Sequence, residues 1–330
     1  MITFEPMARE PGVLLAASPA GVARMPGEPI ELFLEQWRPQ PWVWLHLDHN
    51  RKAAQRWIED ATPPEVADAM LIVKTRPRCV VRPEGVLFIG RGVNLAEGAR
   101  PEDMVSIRAW LEPGRLTTVV LRRLRAAEDL AKALLPPDNE AVPNAGALLV
   151  MLLERLLDRM APTVVDVGEA VDELLERVMD DGEQATRREA TDLRLRTLVL
   201  RRYVVPLRDA LTELNAAPRS LIDADAARAI QELADRATRV AEDLELHGVR
   251  AETARQELSG QDAERLNRRL YGLAIISAVF LPLGFLTGVL GINVAGVPFT
   301  TQPWAFAFWC GVGLLFVALE IGVLKWARWL

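Results

Sequence analysis

The chain has 330 residues, of which 50% are hydrophobic and 25% charged, and its formal net charge is −6. This acidic balance argues against nucleic-acid binding, which usually shows as a basic patch or stripe. The two cysteines, Cys79 and Cys310, lie far apart in the sequence and predict neither a disulfide framework nor a cysteine zinc site. We expect Cys79 to be a free, reduced thiol.

Residues 1–140 have the pattern of an α/β domain, in which strands alternate with short helices. Glu84-Gly85 and Glu112-Pro113-Gly114 are turn signals, and each separates two β-rich runs as the turn of a hairpin does. The predicted strands cover 42–47, 78–82, 86–89, 104–111 and 115–121, and the predicted helices cover 50–60 and 64–73.

Residues 141–269 form the second predicted region, which is helical. Helices are predicted over 147–179 and 183–214, and a third begins near residue 220 and meets no proline before Pro282. The third helix carries an apolar seam at alternating spacings of three and four, which predicts lengthwise packing against helices of the same chain or of neighbouring subunits. The seam consists of Ile230, Leu233, Ala237, Val240, Leu244, His247, Ala251, Ala254 and Leu258.

Residues 270–330 form the third predicted region. No Asp, Glu, Lys, Arg or His occurs from 270 to 319. The apolar stretches 271–290 and 304–324 each have about the ~20 residues that a helix needs to cross a bilayer. Residues 291–298 between them are too rich in Gly and Pro for a helix. The sequence therefore predicts a transmembrane hairpin, into whose first span the third helix continues unbroken.

Basic residues near the ends of the two spans predict the orientation of this hairpin. Arg265, Arg268 and Arg269 precede the first span, Lys325 and Arg328 follow the second, and the connecting loop has neither Lys nor Arg. Cytoplasmic loops carry the excess of Lys and Arg. Both termini are therefore predicted to be cytoplasmic.

The sequence LPLGFLTGVLGIN at 281–293, followed by a second span and the ending KWARWL at 325–330, resembles the CorA superfamily of divalent cation transporters. Members carry Gly-Met-Asn at the end of the first span. Here the middle residue is Ile292, and the surrounding pattern looks more like the ZntB zinc-transporter branch.

The resemblance implies an α+β membrane protein of the bacterial-type inner membrane. Its cytoplasmic α/β domain, long stalk helices and two C-terminal spans would assemble as a homopentamer surrounded by lipid. In such an assembly Gly291, Ile292 and Asn293 would form the external mouth that selects and admits the ion.

Helical steps of three and four, counted back from Asn293, predict one pore-lining face. It carries no carboxylate, imidazole or sulfur ligand, so we predict no metal site with protein-only coordination and expect the ion to pass largely hydrated. Leu281 is either a hydrophobic constriction or an ordinary leucine of the span, and the glycines either line the pore or pack helices. The predicted pore residues are Asn267, Leu270, Ala274, Ser277, Leu281, Gly284 and Gly288.

Several other polar residues are weaker candidates. His46, Asp48 and His49 lack the remaining ligands of a tetrahedral zinc site, which favours a solvated turn. His247 is expected to pack in the seam. Glu320, the only acid in the spans, is expected to reach solvent or pair with an Arg, away from the pore. An acidic helix face is expected to be solvated and balanced by Arg, although it could hold a regulatory cation. That face consists of Asp166, Glu169, Asp172, Glu173 and Glu176.

The predicted function is divalent metal transport, with Zn²⁺ favoured and Mg²⁺, Co²⁺ or Ni²⁺ as the alternative cargo. A membrane-anchored cation sensor or scaffold that does not conduct is the rival hypothesis. The sequence has no phosphate loop and no nucleophile with a paired base, so an enzyme is not predicted, and neither is a resident cofactor.

Overall fold

A computed structural model describes residues 13–19, 21–23, 40–135, 141–180, 186–291, 298–299 and 302–326. The chain divides into two compact units, Met1–Arg255 and Gln256–Leu330. The division into regions 1–140, 141–269 and 270–330 stays a prediction.

The first unit contains a seven-stranded mixed sheet in the order β2-β1-β3-β7-β6-β5-β4. All neighbouring strands are antiparallel except β3 and β7, which are parallel. The strands are β1 (Val13–Ser18), β2 (Gly21–Ala23), β3 (Val43–Asp48), β4 (Arg78–Val81), β5 (Val86–Gly92), β6 (Val105–Glu112) and β7 (Arg115–Val120).

Both predicted hairpins are confirmed. Strands β4 and β5 pair up to Val81 and Val86, and β6 and β7 pair up to Glu112 and Arg115. Gly114 in the second turn has φ +73, a left-handed conformation that costs glycine little because it has no β-carbon.

The helices are α1 (Lys52–Ala61), α2 (Pro64–Leu71), α3 (Arg125–Ala133), α4 (Ala145–Met179), α5 (Arg187–Leu214), α6 (Ala224–Leu290) and α7 (Ala305–Trp326). Strands β1 and β2 and helix α3 were not predicted from the sequence. Helix α6 is unbroken as predicted and crosses the division between the units.

Both faces of the sheet are buried, because successive side chains of a strand point to opposite sides. Val86 and Phe88 of β5 join the larger core, which includes apolar side chains of α3, α4, α5 and α6. Leu87 and Ile89 join a second core with α1 and α2. The sheet is therefore covered by helices on both faces, as in a layered α/β domain.

Polar contacts set the register of α4 and α6. Asn144 and Asp223 cap the two helices by accepting from the backbone N–H of Ala147 and Ala226, both at 2.8 Å. Asn144 Nδ2 also donates to Asp223 Oδ2 at 2.7 Å, across a separation of 79 residues. These caps hold the first turns of the two helices together.

The same register continues along the helices. Arg236 donates to Asp158 and Arg250 to Asp172, and each pair is 78 residues apart, so α4 and α6 run parallel. Along α5 the order is reversed, because Arg201 pairs with Glu245 whereas Arg194, which precedes it, pairs with Glu252, which follows. Helix α5 is therefore antiparallel to α6.

The apolar seam of α6 is confirmed as a packing surface of the same chain, because its residues up to Leu244 lie in the larger core. Ala251 and Ala254, further along the seam, are fully buried. The alternation of three and four thus identified a real helix-packing face.

Candidate functional site

Two helices of the second unit are long and apolar enough to cross a membrane, judged by length and composition: the C-terminal part of α6, and α7. Glu320 is the one charged residue in α7 before Lys325. The predicted spans 271–290 and 304–324 therefore coincide with helical structure, except that α7 begins at Ala305.

Helices α6 and α7 contact each other along one stripe of each helix. A β-carbon placed on Gly313, which is buried in α7, would lie 3.6 Å from Cδ2 of Leu283 in α6. The half-buried residues of the α6 stripe are Gly272, Ile275, Ala278, Val279, Pro282, Leu283, Leu286 and Leu290. The half-buried or buried residues of the α7 stripe are Ala305, Trp309, Val312, Gly313, Val317, Glu320 and Leu324.

The predicted pore residues lie on the other side of α6. Leu281, Gly284 and Gly288 are each followed two residues later by a member of the stripe, and two residues rotate a helix by ~200°. All predicted pore residues within α6 are exposed in the single chain, Leu281 with 77% of its surface. Those residues are Asn267, Leu270, Ala274, Ser277, Leu281, Gly284 and Gly288.

The two glycines Gly284 and Gly288 have no neighbour within 4 Å of an added β-carbon. They therefore do not serve the packing of α6 against α7, where Gly313 provides the close approach instead. Pore lining, and packing against another copy of the chain, both stay predictions for Gly284 and Gly288.

At the end of α6, the N–H of Gly291 donates to the carbonyl of Thr287 at 2.9 Å, and Gly291 is exposed. Ile292 and Asn293, the other two predicted mouth residues, lie outside the described residues. Their role stays a prediction.

A groove of about 790 Å³ follows the exposed side of α6. Pro282 lies within the helix and has no N–H to donate to the carbonyl of Ala278. The hydroxyl of Thr287 donates to the carbonyls of Leu283 and Gly284, at 3.0 and 3.1 Å, so its own donor is satisfied within the helix. The groove is lined by Ser277, Phe280, Leu281, Pro282, Gly284 and Phe285.

This side of α6 offers oxygen and apolar groups and no strong metal ligand. From 267 to 291 the helix has no Asp, Glu, His, Cys or Met. Within the described part of the chain, no group of three or more His, Cys, Asp or Glu side chains is placed to hold a metal ion. A cation on this surface would keep most of its hydration shell, since nothing here replaces it.

The prediction of a solvated turn at His46 and His49 was wrong. Both side chains are buried, and Nε2 of His49 lies 2.7 Å from the carbonyl oxygen of Leu71. Nδ1 of His46 lies 2.8 Å from Oγ1 of Thr118, which also accepts from the indole N–H of Trp44 at 2.9 Å. Burial lowers the pKa of His46 to about 4, although the charge of Asp48 acts in the opposite direction.

The expectation that His247 packs in the seam is confirmed, because its ring lies against Gly168 of α4. In the acidic face of α4, Asp172 accepts a hydrogen bond from Arg250 at 2.8 Å, so an Arg balances the charge of this acid. The other acids of that face, Asp166, Glu169, Glu173 and Glu176, are exposed.

The expectation that Glu320 reaches solvent or pairs with an Arg stays a prediction, because its side chain is only half-buried. Glu320 belongs to the α7 stripe that contacts α6, and its Oε2 is buried without a hydrogen-bond partner in the described chain. The spacing of Gly313, Val317, Glu320 and Leu324 by three or four residues could have indicated this position.

The chain is similar to known proteins over most of its length. A family model described as "CorA-like Mg2+ transporter protein" matches residues 39–325. The divalent cation transporter CmaX of Pseudomonas aeruginosa is 35% identical over 298 residues, which cover 88% of this chain and 89% of the relative. The zinc transport protein ZntB of Pectobacterium carotovorum is 31% identical over 296 residues, covering 87% and 88%. The structure of full-length CmaX superposes with a TM-score of 0.80, 31% identity, and coverage of 97% of this chain and 100% of CmaX.

Proposed function

We propose that this protein forms a homopentameric pore for Zn²⁺. The chain belongs to the CorA-like Mg2+ transporter family, as the motif at 281–293 predicted. Transport of divalent cations, rather than enzymatic catalysis, is the activity of this family. Zinc and the pentamer are the specific parts of the proposal.

The observation that carries the proposal is the division of α6 into two sides. One side packs against α7, and the other, exposed in the single chain, has small, apolar and hydroxyl groups from Leu270 to Gly288. Apolar side chains such as Leu281 and Phe285, with 77% and 75% of their surface exposed, favour burial against other copies or in lipid. Five copies of this side around an axis would enclose a pore.

We propose that the ion crosses this pore largely hydrated. Ser277 and Asn267 offer neutral oxygens, and the acidic net charge of −6 favours cations over anions near the protein. Removing water from a divalent ion without replacement ligands would cost many kcal/mol. Selectivity would then depend on pore width and on the mouth formed by Gly291, Ile292 and Asn293.

Zinc is favoured as the cargo by the similarity to ZntB, and Mg²⁺, with Co²⁺ or Ni²⁺, is the alternative. The similarity to CmaX supports a divalent cation without choosing between these ions. We further propose an inner-membrane location with both termini in the cytoplasm. Arg269 precedes the first span and Lys325 follows the second, and the positive-inside rule assigns these ends of the spans to the cytoplasmic side.

The test is flux of zinc, magnesium, nickel and cobalt into proteoliposomes that contain the purified full-length protein, with and without a pH gradient. We expect zinc flux that Asn293→Ala reduces strongly and that the matched control Gln302→Ala leaves unchanged, since Gln302 lies beyond the mouth motif and is exposed. Flux of magnesium alone would select the alternative cargo. Absence of flux, with no effect of Asn293→Ala, would favour the non-conducting sensor.

A further inference from the structure

Four arginines that lie close together in the first unit have no Asp or Glu within ion-pair distance among the described residues. Elsewhere in this acidic chain an exposed arginine commonly pairs with a carboxylate, as Arg123 does with Glu128. A cluster of like charges without a counter-charge is unfavourable, and an anion that binds there relieves the repulsion. The four arginines are Arg91, Arg108, Arg122 and Arg202.

Arg91 and Arg108 project from the same side of the sheet. Arg91 of β5 is opposite Ser106 of β6, and Arg108 is two residues further along β6, so the two side chains are diagonal neighbours. Arg108 is fully buried, and its Nη2 donates to the carbonyls of Ile72 and Val73 at 2.6 and 3.2 Å. Its Nε and Nη1 have no hydrogen-bond partner in the described part of the chain. Burial, followed by the charge of Arg91, lowers the pKa of Arg108 to about 10, so it stays charged at neutral pH.

Backbone carbonyls fix the orientation of Arg91. Its Nε and Nη2 donate to the carbonyl of Thr75 at 3.1 and 2.8 Å, and its Nη1 donates to the carbonyl of Met104 at 3.1 Å. A guanidinium has five N–H donors, so two remain after these three bonds. The side chain is half-buried, and its guanidinium carbon lies 4.6 Å from the ring centroid of Tyr203 in α5. Arg91 is therefore held in place before any ligand binds.

Tyr203 brings a second guanidinium to the same place. The guanidinium carbon of the exposed Arg202 lies 4.9 Å from the ring centroid, and its Nη2 donates to the Tyr203 hydroxyl at 2.6 Å. A tyrosine hydroxyl both accepts and donates, so its own proton remains for another acceptor.

A third arginine adds its charge to the pair. Burial lowers the pKa of Arg91, Tyr203 acts in the opposite direction, and the charges of Arg202 and Arg122 lower it further. The exposed Arg122 follows β7 and is thus close enough to act on Arg91. Strands β5 and β7 and helix α5 therefore bring three positive charges and a hydroxyl donor to one place.

We propose that the half-buried arginine, the two exposed arginines and the tyrosine of this cluster form a binding site for a phosphate group. A phosphate monoester carries about −1.5 to −2 charges at neutral pH, and its oxygens accept several hydrogen bonds. The planar donor fork of arginine matches that geometry. The buried Arg108 contributes positive charge without touching the ligand. The residues of the site are Arg91, Arg122, Arg202 and Tyr203.

The proposal goes beyond the proposed transport function and does not depend on ion flux. Arg91 belongs to the sheet and Arg202 to α5, so a phosphate that contacts both would connect these two elements. Soluble phosphate compounds and anionic lipid headgroups carry the same group, and the experiments below distinguish these two sources.

The direct test is isothermal titration calorimetry of the purified full-length protein in detergent, with pyrophosphate as the probe. The ionic strength is held constant, and divalent cations are left out because pyrophosphate would bind them. We expect saturable binding that Arg122→Gln and Arg202→Gln each weaken roughly tenfold or more, since each removes a charge-assisted hydrogen bond. The matched control Arg123→Gln removes a neighbouring exposed arginine that pairs with Glu128, and it should leave the affinity unchanged.

Two results would overturn the proposal: no binding of pyrophosphate to the unmodified protein, or an equal loss of affinity in all three variants. An equal loss would mean that pyrophosphate is attracted by the general charge of the surface. Thermal unfolding without pyrophosphate should give the same midpoint for the three variants, because the substituted side chains are exposed.

Tyr203→Phe separates a built site from attraction by charge alone. This variant keeps the ring between the arginines and the net charge, and it removes only the hydroxyl. We expect the affinity for pyrophosphate to fall several-fold while its dependence on salt concentration stays the same. An unchanged affinity would exclude the Tyr203 hydroxyl from the site.

The source of the phosphate is tested by the same titration in lipid nanodiscs. If the natural ligand is a lipid headgroup, nanodiscs of phosphatidylglycerol should abolish pyrophosphate binding, whereas nanodiscs of phosphatidylcholine should retain it. Equal binding in both would assign the site to soluble phosphate compounds.

Discussion

The imidazole ring of His247 in α6 lies directly against Gly168 in α4. A β-carbon on Gly168 would be 2.6 Å from Cε1 and 2.7 Å from Nε2 of that ring. One residue further along α6, a β-carbon on Gly248 would be 3.1 Å from Oγ1 of the buried Thr197 in α5. Helices α4, α5 and α6 are therefore close to one another at this point.

Gly168→Ala is expected to destabilise the protein. The added methyl would overlap the His247 ring and force it or the helix to move, at a cost of about 1–3 kcal/mol. Thermal unfolding followed by circular dichroism would measure the effect. The matched control is Gly260→Ala, where no atom lies within 4 Å and an alanine in a helix should stabilise by about 0.5–1 kcal/mol. Equal effects of the two substitutions would show that the contact is absent.

Asn144→Ala is expected to lower the stability by about 1–2 kcal/mol, because it removes the cap of α4 and the bond to Asp223. Asp223→Ala should have a similar effect. The two losses of stability should be less than additive in the double variant, since each single substitution already removes the bond between Asn144 and Asp223. The control is Asp225→Ala, whose exposed carboxylate pairs with Arg228. Strict additivity would contradict the coupling.

Acid should weaken the contact between Asn144 and Asp223 at the first turns of α4 and α6. The hydrogen bond from the backbone of Ala226, followed by that from Asn144, lowers the pKa of Asp223. A carboxylate with a depressed pKa stabilises the folded state above its unfolded pKa of about 3.9, and this contribution is lost as the pH falls through the folded value. Titration of Asp223 by NMR should show a higher pKa in Asn144→Ala. An unchanged pKa would show that the amide does not contribute.

His46 should make the stability of the first unit sensitive to acid at a higher pH than Asp223 does. Its pKa is about 4 when folded and about 6.5 when unfolded, so the unfolded state binds more protons between these values. Its contribution is therefore complete above pH ~6.5 and declines by up to a few kcal/mol as the pH falls to ~4. The loss of thermal stability over this range should be smaller in His46→Gln. A loss as large in His46→Gln as in the unmodified protein would assign the acid sensitivity to other groups.

Cysteine accessibility should separate the two sides of α6 in the membrane. In a background with Cys79→Ala and Cys310→Ala, we expect a charged thiol reagent to modify Leu281→Cys and block flux. Leu283→Cys, which lies in the stripe beside Gly313, should react slowly and leave flux unchanged. Faster reaction at Leu283→Cys would mean that the pore lies on the other side of the helix.

The sequence by itself determined those features that depend on neighbouring residues along the chain. The uncharged stretch 270–319 indicated both spans, the turn signals at Glu84-Gly85 and Glu112-Pro113-Gly114 located two hairpins, and the seam from Ile230 onward identified a packing face. Hydrophobic burial and backbone geometry act on these short patterns directly, so they can be recognised without the fold.

Only the tertiary structure decided the features that depend on distant partners. The burial of His46 depends on Thr118, which β7 places beside β3, and strands β1 and β2 are stabilised by pairing in the sheet rather than by a strong local pattern. The position of Glu320 depends on which side of α7 meets α6. A side chain's solvation is set by the atoms that surround it in space, and residues far apart in the sequence supply those atoms.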